Sequence, residues 1–109
     1  MSDKTARIRE LNDQFRKTLA GGKIMLTQGI QAMAEMDILH LLGLLQNYDD
    51  FSEGDDPYGE HDFGAIMMGG QKYFWKIDYY DNACEMHSPD PSDPAVTHRV
   101  LTLMLAEEY

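Results

Sequence analysis

The chain of 109 residues contains one cysteine and few basic side chains, and each scarcity excludes a class of protein. Cys84 has no second cysteine with which to form an internal disulfide, which fits a reducing compartment. The sequence has no apolar run close to the ~20 residues that a membrane-spanning helix needs. Its N-terminus also lacks the apolar core of a signal peptide. These absences predict a cytoplasmic protein with no membrane partner.

Basic residues are outnumbered by acidic residues, at 9 against 19, which gives a formal net charge of −10. This charge repels nucleic acid, so the sequence predicts no direct nucleic-acid partner and favours a basic protein surface. The charge is uneven, because residues 1–23 carry six basic and three acidic side chains whereas residues 24–109 carry three and sixteen. Attraction between the two parts is expected to pair Arg7, Arg9 and Arg16 with carboxylates of residues 48–109.

The pattern of apolar residues predicts a single α+β domain over residues 1–109. A basic helix is expected within residues 1–22, and residues 23–109 form an acidic body. Apolar side chains at helical spacing predict helices at residues 3–20 and 34–47, and alternating ones predict a strand at 23–33.

A β-hairpin is predicted in the second half of the chain. Gly69-Gly70 is a two-residue turn signal between apolar runs, and it sets a register in which Phe63 faces Lys76. Trp75 and its alternate neighbours are expected to face the core. Residues 83–87 are assigned to an optional edge strand. Pro94 after the N-cap Asp93 predicts a final helix. The predicted fold is a small antiparallel sheet of three to four strands, in the order α-β-α-β-β-(β)-α, covered by helices.

The run Glu60-His61-Asp62 is the sharpest chemical feature of the sequence. In the predicted register His61 faces Asp78, and a histidine beside a carboxylate is typical of a general base or a metal ligand. The structural interpretation, a cross-strand ion pair that fixes the hairpin register, is favoured. No catalytic residue and no cofactor are therefore assigned. The weaker candidates for metal ligands are Asp55, Asp56, Glu60, His61 and Asp62.

The loop of residues 48–60 is rich in carboxylates and superficially matches a calcium-binding EF-hand loop. Phe51 occupies its third position and offers no oxygen ligand, so the match fails. The loop is instead predicted to contact a partner through Asp49, Asp50, Glu53, Asp55, Asp56 and Glu60.

Three runs, DPYGEHDFG, FWKIDYYD and SPDPSDPAVTHRVLTLMLAEEY, resemble a small bacterial family of uncharacterised proteins. Asn12-Asp13 with Phe15-Arg16, and Thr27 with Gly29, are further points of similarity. The resemblance implies bacterial origin, a cytosolic setting and relatives on plasmids and other mobile elements, and it lends no catalytic residue.

Two functions follow as expectations. The first is a non-enzymatic acidic interaction protein, such as a mobile-element-borne inhibitor or nucleic-acid mimic that binds a basic surface of a nucleic-acid-binding protein. The second is a small metal- or His/Asp-dependent enzyme with a site around His61 and Asp78.

Overall fold

A computed structural model describes residues 3–51 and 56–109 as helices packed on a sheet. The helices are α1 (Asp3–Thr18), α2 (Gln28–Gln31) and α3 (Glu35–Gln46). The strands are β1 (Gly22–Leu26), β2 (Phe63–Met68), β3 (Gln71–Tyr80) and β4 (His98–Leu105). Short 3-10 turns precede and follow β4, at Pro94–Val96 and Ala106–Glu108.

Within these described residues the strands form one mixed sheet in the order β1-β4-β3-β2. Strand β3 pairs antiparallel with both β2 and β4, whereas β1 lies parallel to β4. A parallel neighbour requires a long crossover, which the segment from α2 through β3 supplies. The α+β fold class is confirmed, with one parallel pairing that the prediction of an antiparallel sheet lacked.

The predicted hairpin is confirmed residue by residue. Phe63 pairs with Lys76 and Met68 with Gln71, as the Gly69-Gly70 turn requires. Both turn glycines have positive φ, at 59° and 78°, the conformation that a tight hairpin turn needs. The turn chemistry therefore sets the register, and the register fixes which side chains face the core.

The predicted final helix is wrong, because residues 98–105 form strand β4 in the middle of the sheet. Asp93 does accept a hydrogen bond from the Ala95 N–H at 2.9 Å, as an N-cap should, but the turn it starts is only three residues long. Leu101 and Leu103 are fully buried, and Met104 on the opposite face is buried too. A strand that is apolar on both faces has no clear alternation, so its sequence resembles that of a buried helix.

Strand β1 ends earlier than the predicted strand of residues 23–33, because Thr27 starts the short helix α2. The Glu108 carboxylate accepts hydrogen bonds from the Thr27 hydroxyl at 2.6 Å and from the Gly29 N–H at 3.0 Å. These bonds, led by the one from Thr27, lower the pKa of Glu108. The C-terminal turn thereby holds the start of α2. The optional edge strand at 83–87 is reduced to a single bridge between Tyr80 and His87.

The core lies between the sheet and helices α1 and α3. Trp75, Ile77, Leu101 and Leu103 of the sheet are buried there with residues of both helices. Gly64 is required beside Trp75, since a Cβ at that position would overlap the indole nitrogen and lie 2.6 Å from the Tyr48 ring. The prediction that helices cover the Trp75 face is confirmed. None of the described helices is long and apolar enough to cross a membrane.

Two of the three arginines of α1 pair with carboxylates of the helix itself, and the third, Arg9, donates a hydrogen bond to the Gly59 carbonyl at 3.1 Å. Arg7 pairs with Glu10 at 2.9 Å and Arg16 with Asp13 at 2.9 Å. The expectation that these two arginines pair with acids of residues 48–109 is wrong. Lys4 does reach Asp90 of the body, at 3.6 Å, through an exposed contact that contributes little to stability.

Candidate functional site

The run Glu60-His61-Asp62 lies just before β2, where the chain enters the sheet. Strand pairing continues as far as Asp62, whose carbonyl accepts a hydrogen bond from the Ile77 N–H at 2.8 Å. His61 has a φ of 55°, a left-handed conformation that is uncommon for a residue with a side chain. This turn directs His61 away from the sheet and towards α1.

His61 contacts the carboxylates of Asp13 and Asp56, and not that of Asp78. Its Nδ1 lies 2.8 Å from Asp13 Oδ1, and its Nε2 lies 3.6 Å from Asp56 Oδ2. Its backbone N–H also donates to Asp56 Oδ1 at 3.0 Å. Asp78 instead pairs with the Lys76 ammonium at 3.1 Å. The predicted His61–Asp78 pair is wrong, because the positive φ of His61 ends the strand geometry that would have placed the two side chains together.

Asp13 joins His61 to a buried arginine. The same Oδ1 that contacts the imidazole accepts a hydrogen bond from Arg16 Nη1 at 2.9 Å. Arg16 is only 1% exposed, and its Nη2 donates to the Tyr48 carbonyl at 3.1 Å. Its guanidinium also lies 5.1 Å from the Phe51 ring centroid and 5.6 Å from that of Trp75. Aromatic rings and hydrogen-bond acceptors offset part of the cost of removing this charge from water, and Nε is buried without a hydrogen-bond partner among the described residues.

The Arg16–Asp13–His61 chain ends at an open cleft of about 610 Å³ between α1 and the segment that follows α3. The Phe51 ring stacks on the imidazole, with centroids 3.6 Å apart and an angle of 3° between the planes. The cleft is lined by Asp13, Arg16, Lys17, Gln46, Asn47, Tyr48, Asp49, Phe51 and His61. A histidine fixed by a carboxylate at one nitrogen can act as a general base. The residues that line this cleft include no serine or cysteine, so they offer no side-chain nucleophile of that kind.

A second polar cluster lies under Glu60 and is centred on the buried Asn12. The Asn12 amide donates to the Tyr79 hydroxyl at 2.7 Å and to the Glu60 carbonyl at 3.0 Å, and its oxygen accepts from Arg99 Nε at 2.8 Å. The Tyr79 hydroxyl in turn donates to Glu60 Oε1 at 2.9 Å. Arg99 is 3% exposed, lies over the Tyr79 ring and donates to the Pro91 carbonyl. Both polar groups of the Asn12 side chain, the amide nitrogen and the oxygen, are therefore hydrogen-bonded inside the core.

Burial dominates the electrostatics of this cluster. It raises the pKa of the Tyr79 phenol and lowers the pKa of the Arg99 guanidinium. It also raises the pKa of Asp62 from 3.8 to about 6, and the neighbouring Glu60 carboxylate adds to this increase. Among the described side chains, Asp62 is thus a carboxyl group that changes its charge close to neutral pH.

The predicted interaction residues of the acidic loop divide into two groups. Asp49 and Asp50 are exposed. Asp56 and Glu60 turn inward, to His61 and Tyr79 respectively. The predicted positions Glu53 and Asp55 lie outside the described residues.

The weaker metal-ligand candidates do not converge. Of these five, Asp55 lies outside the described residues. Asp56 and His61 contact each other, whereas the Glu60 carboxylate accepts a hydrogen bond from Tyr79 and Asp62 joins neither group. Within residues 3–51 and 56–109, no three side chains of His, Cys, Asp or Glu are arranged to hold a metal ion.

The sequence interpretation missed the part that α1 plays in this site. Asn12 and Arg16 follow Ile8 at i+4 and i+8, on the stripe that faces the core, and both are buried. A polar and a charged residue at core positions of a helix are the available signal, because buried polar groups need specific partners. Nothing in the linear sequence identifies their distant partners, which are 32 or more residues away.

A family model matches most of the chain. Searches of curated proteins and of solved structures find no significant similarity. The model of a family described as "protein of unknown function (DUF3768)" matches residues 26–108. The match includes the EHD run and both strands of the hairpin, and it excludes α1. Because it covers well over half of the sequence, the chain belongs to the DUF3768 family of proteins of unknown function.

Proposed function

We propose that this protein is a non-enzymatic acidic protein that binds a basic protein surface. The observation that carries this proposal is that most exposed carboxylates of the described residues have no cation beside them, while two arginines are buried. Arg16 and Arg99 lie in the core, where their charges are shielded from a partner. Asp56 is buried as well, so burial removes two positive charges and one negative charge from the surface of the described residues. The accessible surface is therefore slightly more acidic than the formal net charge of −10 suggests.

The acidic body shows this imbalance most clearly. Residues 24–109 carry three basic residues, Lys72, Lys76 and Arg99; Arg99 is buried, and Lys76 is paired with Asp78. Within the part of residues 24–109 that the structure describes, seven exposed carboxylates have no cation within 4.0 Å: Glu35, Asp37, Asp49, Asp50, Glu85, Glu107 and Glu108. Unpaired surface charge of one sign accelerates association with an oppositely charged protein.

A basic nucleic-acid-binding protein is the partner that this surface suits best. Its groove is adapted to closely spaced phosphates, and carboxylates on a small domain can occupy the same positions. Inhibition of a defence nuclease by a mobile-element protein in the bacterial cytosol is the biological setting we propose. That setting rests on the family resemblance and on the charge.

A pull-down from a bacterial lysate at low salt tests this proposal. We expect the retained proteins to be basic, to elute with salt or with duplex DNA, and to remain bound in the presence of a chelator. A variant with Glu35→Gln, Asp37→Asn, Asp49→Asn and Asp50→Asn should retain much less of them. Equal retention by this variant, or elution by chelator alone, would show that the acidic surface is not the binding determinant.

A second candidate, a His/Asp-dependent enzyme, is favoured by one contact. His61 Nδ1 lies 2.8 Å from Asp13 Oδ1 at the edge of the cleft, the arrangement that orients a general base. The carboxylate partner in this hypothesis is Asp13 in place of Asp78. A hydrolytic activity that falls by about 100-fold or more in both His61→Ala and Asp13→Asn, with binding to basic proteins unchanged, would replace the first proposal.

A further inference from the structure

Helix α3 is apolar on two sides, and the structure buries only one of them. Leu41 and Leu45 are fully buried against the sheet. On the opposite side, Met36 is 74% exposed and Leu39 is 55% exposed. Met36, Leu39, His40 and Gly43 fall at i, i+3, i+4 and i+7, and they form what we call the outer face of α3.

Carboxylates flank this outer face on both sides. Glu35 and Asp37 are exposed, and no cation within the described residues pairs with either of them. A groove of about 420 Å³ continues from the face towards the hairpin turn, with Met68 and Tyr73 on its far side. Apolar anchors surrounded by charge are the usual composition of a protein-binding surface.

The middle of the outer face permits a close approach by another backbone. A Cβ placed on Gly43 would meet no atom within 4 Å, so the space above this turn of the helix is open. Glycine within a helix lowers helix stability by about 1 kcal/mol relative to alanine, and no contact of Gly43 within 4 Å explains its presence in the isolated protein. A partner helix that packs there would occupy the space left by the missing side chain.

We infer that the outer face of α3 is the docking surface for a basic amphipathic helix of a partner protein. This inference rests on the proposed function and gives it a location. Met36 and Leu39 would enter the apolar stripe of the partner helix, and Glu35 and Asp37 would meet lysine or arginine side chains on either side of that stripe. Charge complementarity selects this occupant. A second copy of the chain would bring like-charged carboxylates together, and an anionic lipid surface would be repelled.

A synthetic peptide serves as the probe. It is an amphipathic helix with leucine on one face and lysine on the other, and its control carries glutamate in place of lysine. Fluorescence anisotropy at low salt measures the Kd of each peptide for the full chain. The variants are Met36→Gln/Leu39→Gln, which keeps helix propensity, and Glu35→Gln/Asp37→Asn.

Matched controls carry the same chemistry elsewhere. Met25→Gln/Met86→Gln changes two exposed methionines outside α3, at 41% and 71% exposure. Glu85→Gln/Glu107→Gln removes two exposed carboxylates that lie outside α3. We expect the lysine peptide to bind, the α3 variants to raise its Kd about tenfold or more, and both controls to stay within about twofold. The glutamate peptide should not bind.

Three outcomes would overturn the inference. Equal weakening by the α3 variants and their controls would leave the acidic protein as proposed but remove α3 as its docking surface. Absence of any salt-sensitive binding by the lysine peptide would contradict both proposals. Sedimentation showing a dimer that only Met36→Gln/Leu39→Gln dissociates would identify a second copy of the chain as the occupant.

Discussion

Helices α1 and α3 contribute to the same core, yet the side chains that each of them buries differ in character. Helix α1 has a charged sequence, DKTARIRELNDQFRKT, and it buries Asn12 and Arg16 together with Ile8 and Phe15. Helix α3 has an apolar sequence, EMDILHLLGLLQ, and it leaves Met36 and Leu39 in water. Polarity alone therefore does not decide which side chains are buried in this molecule.

The difference between the two helices lies in the partners available to each side chain. In α1 the Asn12 amide and the terminal nitrogens of Arg16 have hydrogen-bond partners, and aromatic rings from distant parts of the chain pack against the guanidinium, which offsets the loss of water. Only Arg16 Nε is buried without a partner among the described residues of this helix. In α3 the second apolar stripe meets no other element of the described chain that would cover it. A satisfied polar group indicates a structural role, whereas an uncovered apolar stripe indicates a surface for another molecule.

Replacing Arg16 is the largest expected disruption on the α1 side. Arg16→Ala removes the guanidinium that packs between Phe51 and Trp75 and leaves the Asp13 carboxylate with one partner fewer. We expect the free energy of unfolding to fall by about 3–5 kcal/mol, as for other buried ion pairs that lose one member. Urea denaturation followed by circular dichroism measures the change.

The neighbouring Lys17 is the control for this prediction, because it is exposed. Lys17→Ala should change stability by less than about 0.5 kcal/mol. Similar changes in the free energy of unfolding for Arg16→Ala and Lys17→Ala would mean that Arg16 stabilises the fold mainly through a solvent-screened charge. Its buried contacts would then contribute little.

Removing Asn12 is expected to cost somewhat less. Asn12→Ala leaves Arg99 Nε without its acceptor and takes one bond from the Tyr79 hydroxyl. A buried donor without a partner costs about 1–3 kcal/mol, so we expect a loss of roughly 2–3 kcal/mol in urea denaturation. The exposed Gln14→Ala on the same helix is the control.

The two changes at Asn12 and Tyr79 should also interact. In a double-mutant cycle, Asn12→Ala and Tyr79→Phe are expected to be non-additive by about 0.5 kcal/mol or more, since they share a hydrogen bond. Additive effects would show that the network does not act as a unit.

The sequence predicted the local parts of this fold and missed the distant ones. The hairpin register was correct because the Gly69-Gly70 turn and the alternation around Trp75 are local signals. Strand β4 was mistaken for a helix because its burial on both faces comes from its central place in the sheet, which only tertiary packing determines. The pattern of apolar residues within β4 contains no information about the position of the strand in the sheet.

The candidate site shows the same division. His61 was correctly singled out from its neighbours Glu60 and Asp62, yet its partner was assigned by extending the strand register to Asp78. The positive φ of His61 ends that register, and its contact with Asp13 joins residues 48 positions apart. A backbone turn at one residue therefore separates a correct hairpin from a wrong site.

Asp62 provides a smaller test, through pH. Its folded pKa of about 6 lies above the ordinary 3.8, so the folded state holds the proton more tightly than the unfolded chain does. Its contribution to stability is therefore greatest at acidic pH and is lost as pH rises through about 4 to 6. Asp62→Asn cannot ionise at this position, so its free energy of unfolding should not show this decrease with rising pH.

We expect Asp62→Asn to be more stable than the wild type by about 1 kcal/mol at pH near 8, a value reduced for the screening of a half-exposed carboxylate. Near pH 4 the two proteins should have similar stability. Urea denaturation across this range, with the exposed Glu85→Gln as control, measures the difference. Parallel pH profiles for Asp62→Asn and the wild type would contradict the assignment.

The smallest expected effect concerns the outer face of α3, and it sharpens the comparison of the two helices most. Met36→Gln/Leu39→Gln removes two large apolar side chains, but both are mostly in water and glutamine is a comparably good helix former. The free energy of unfolding should change by less than about 0.5 kcal/mol, whereas Leu41→Ala on the buried side of the same helix should lower it by about 2–5 kcal/mol. Thermal and urea denaturation of the three proteins give these values.

A loss of 2 kcal/mol or more in the double glutamine variant, on the order of a core substitution, would mean that Met36 and Leu39 are covered within the isolated chain. In that case α3 would bury its apolar residues as α1 buries Phe15, and the contrast from which the docking surface was inferred would disappear.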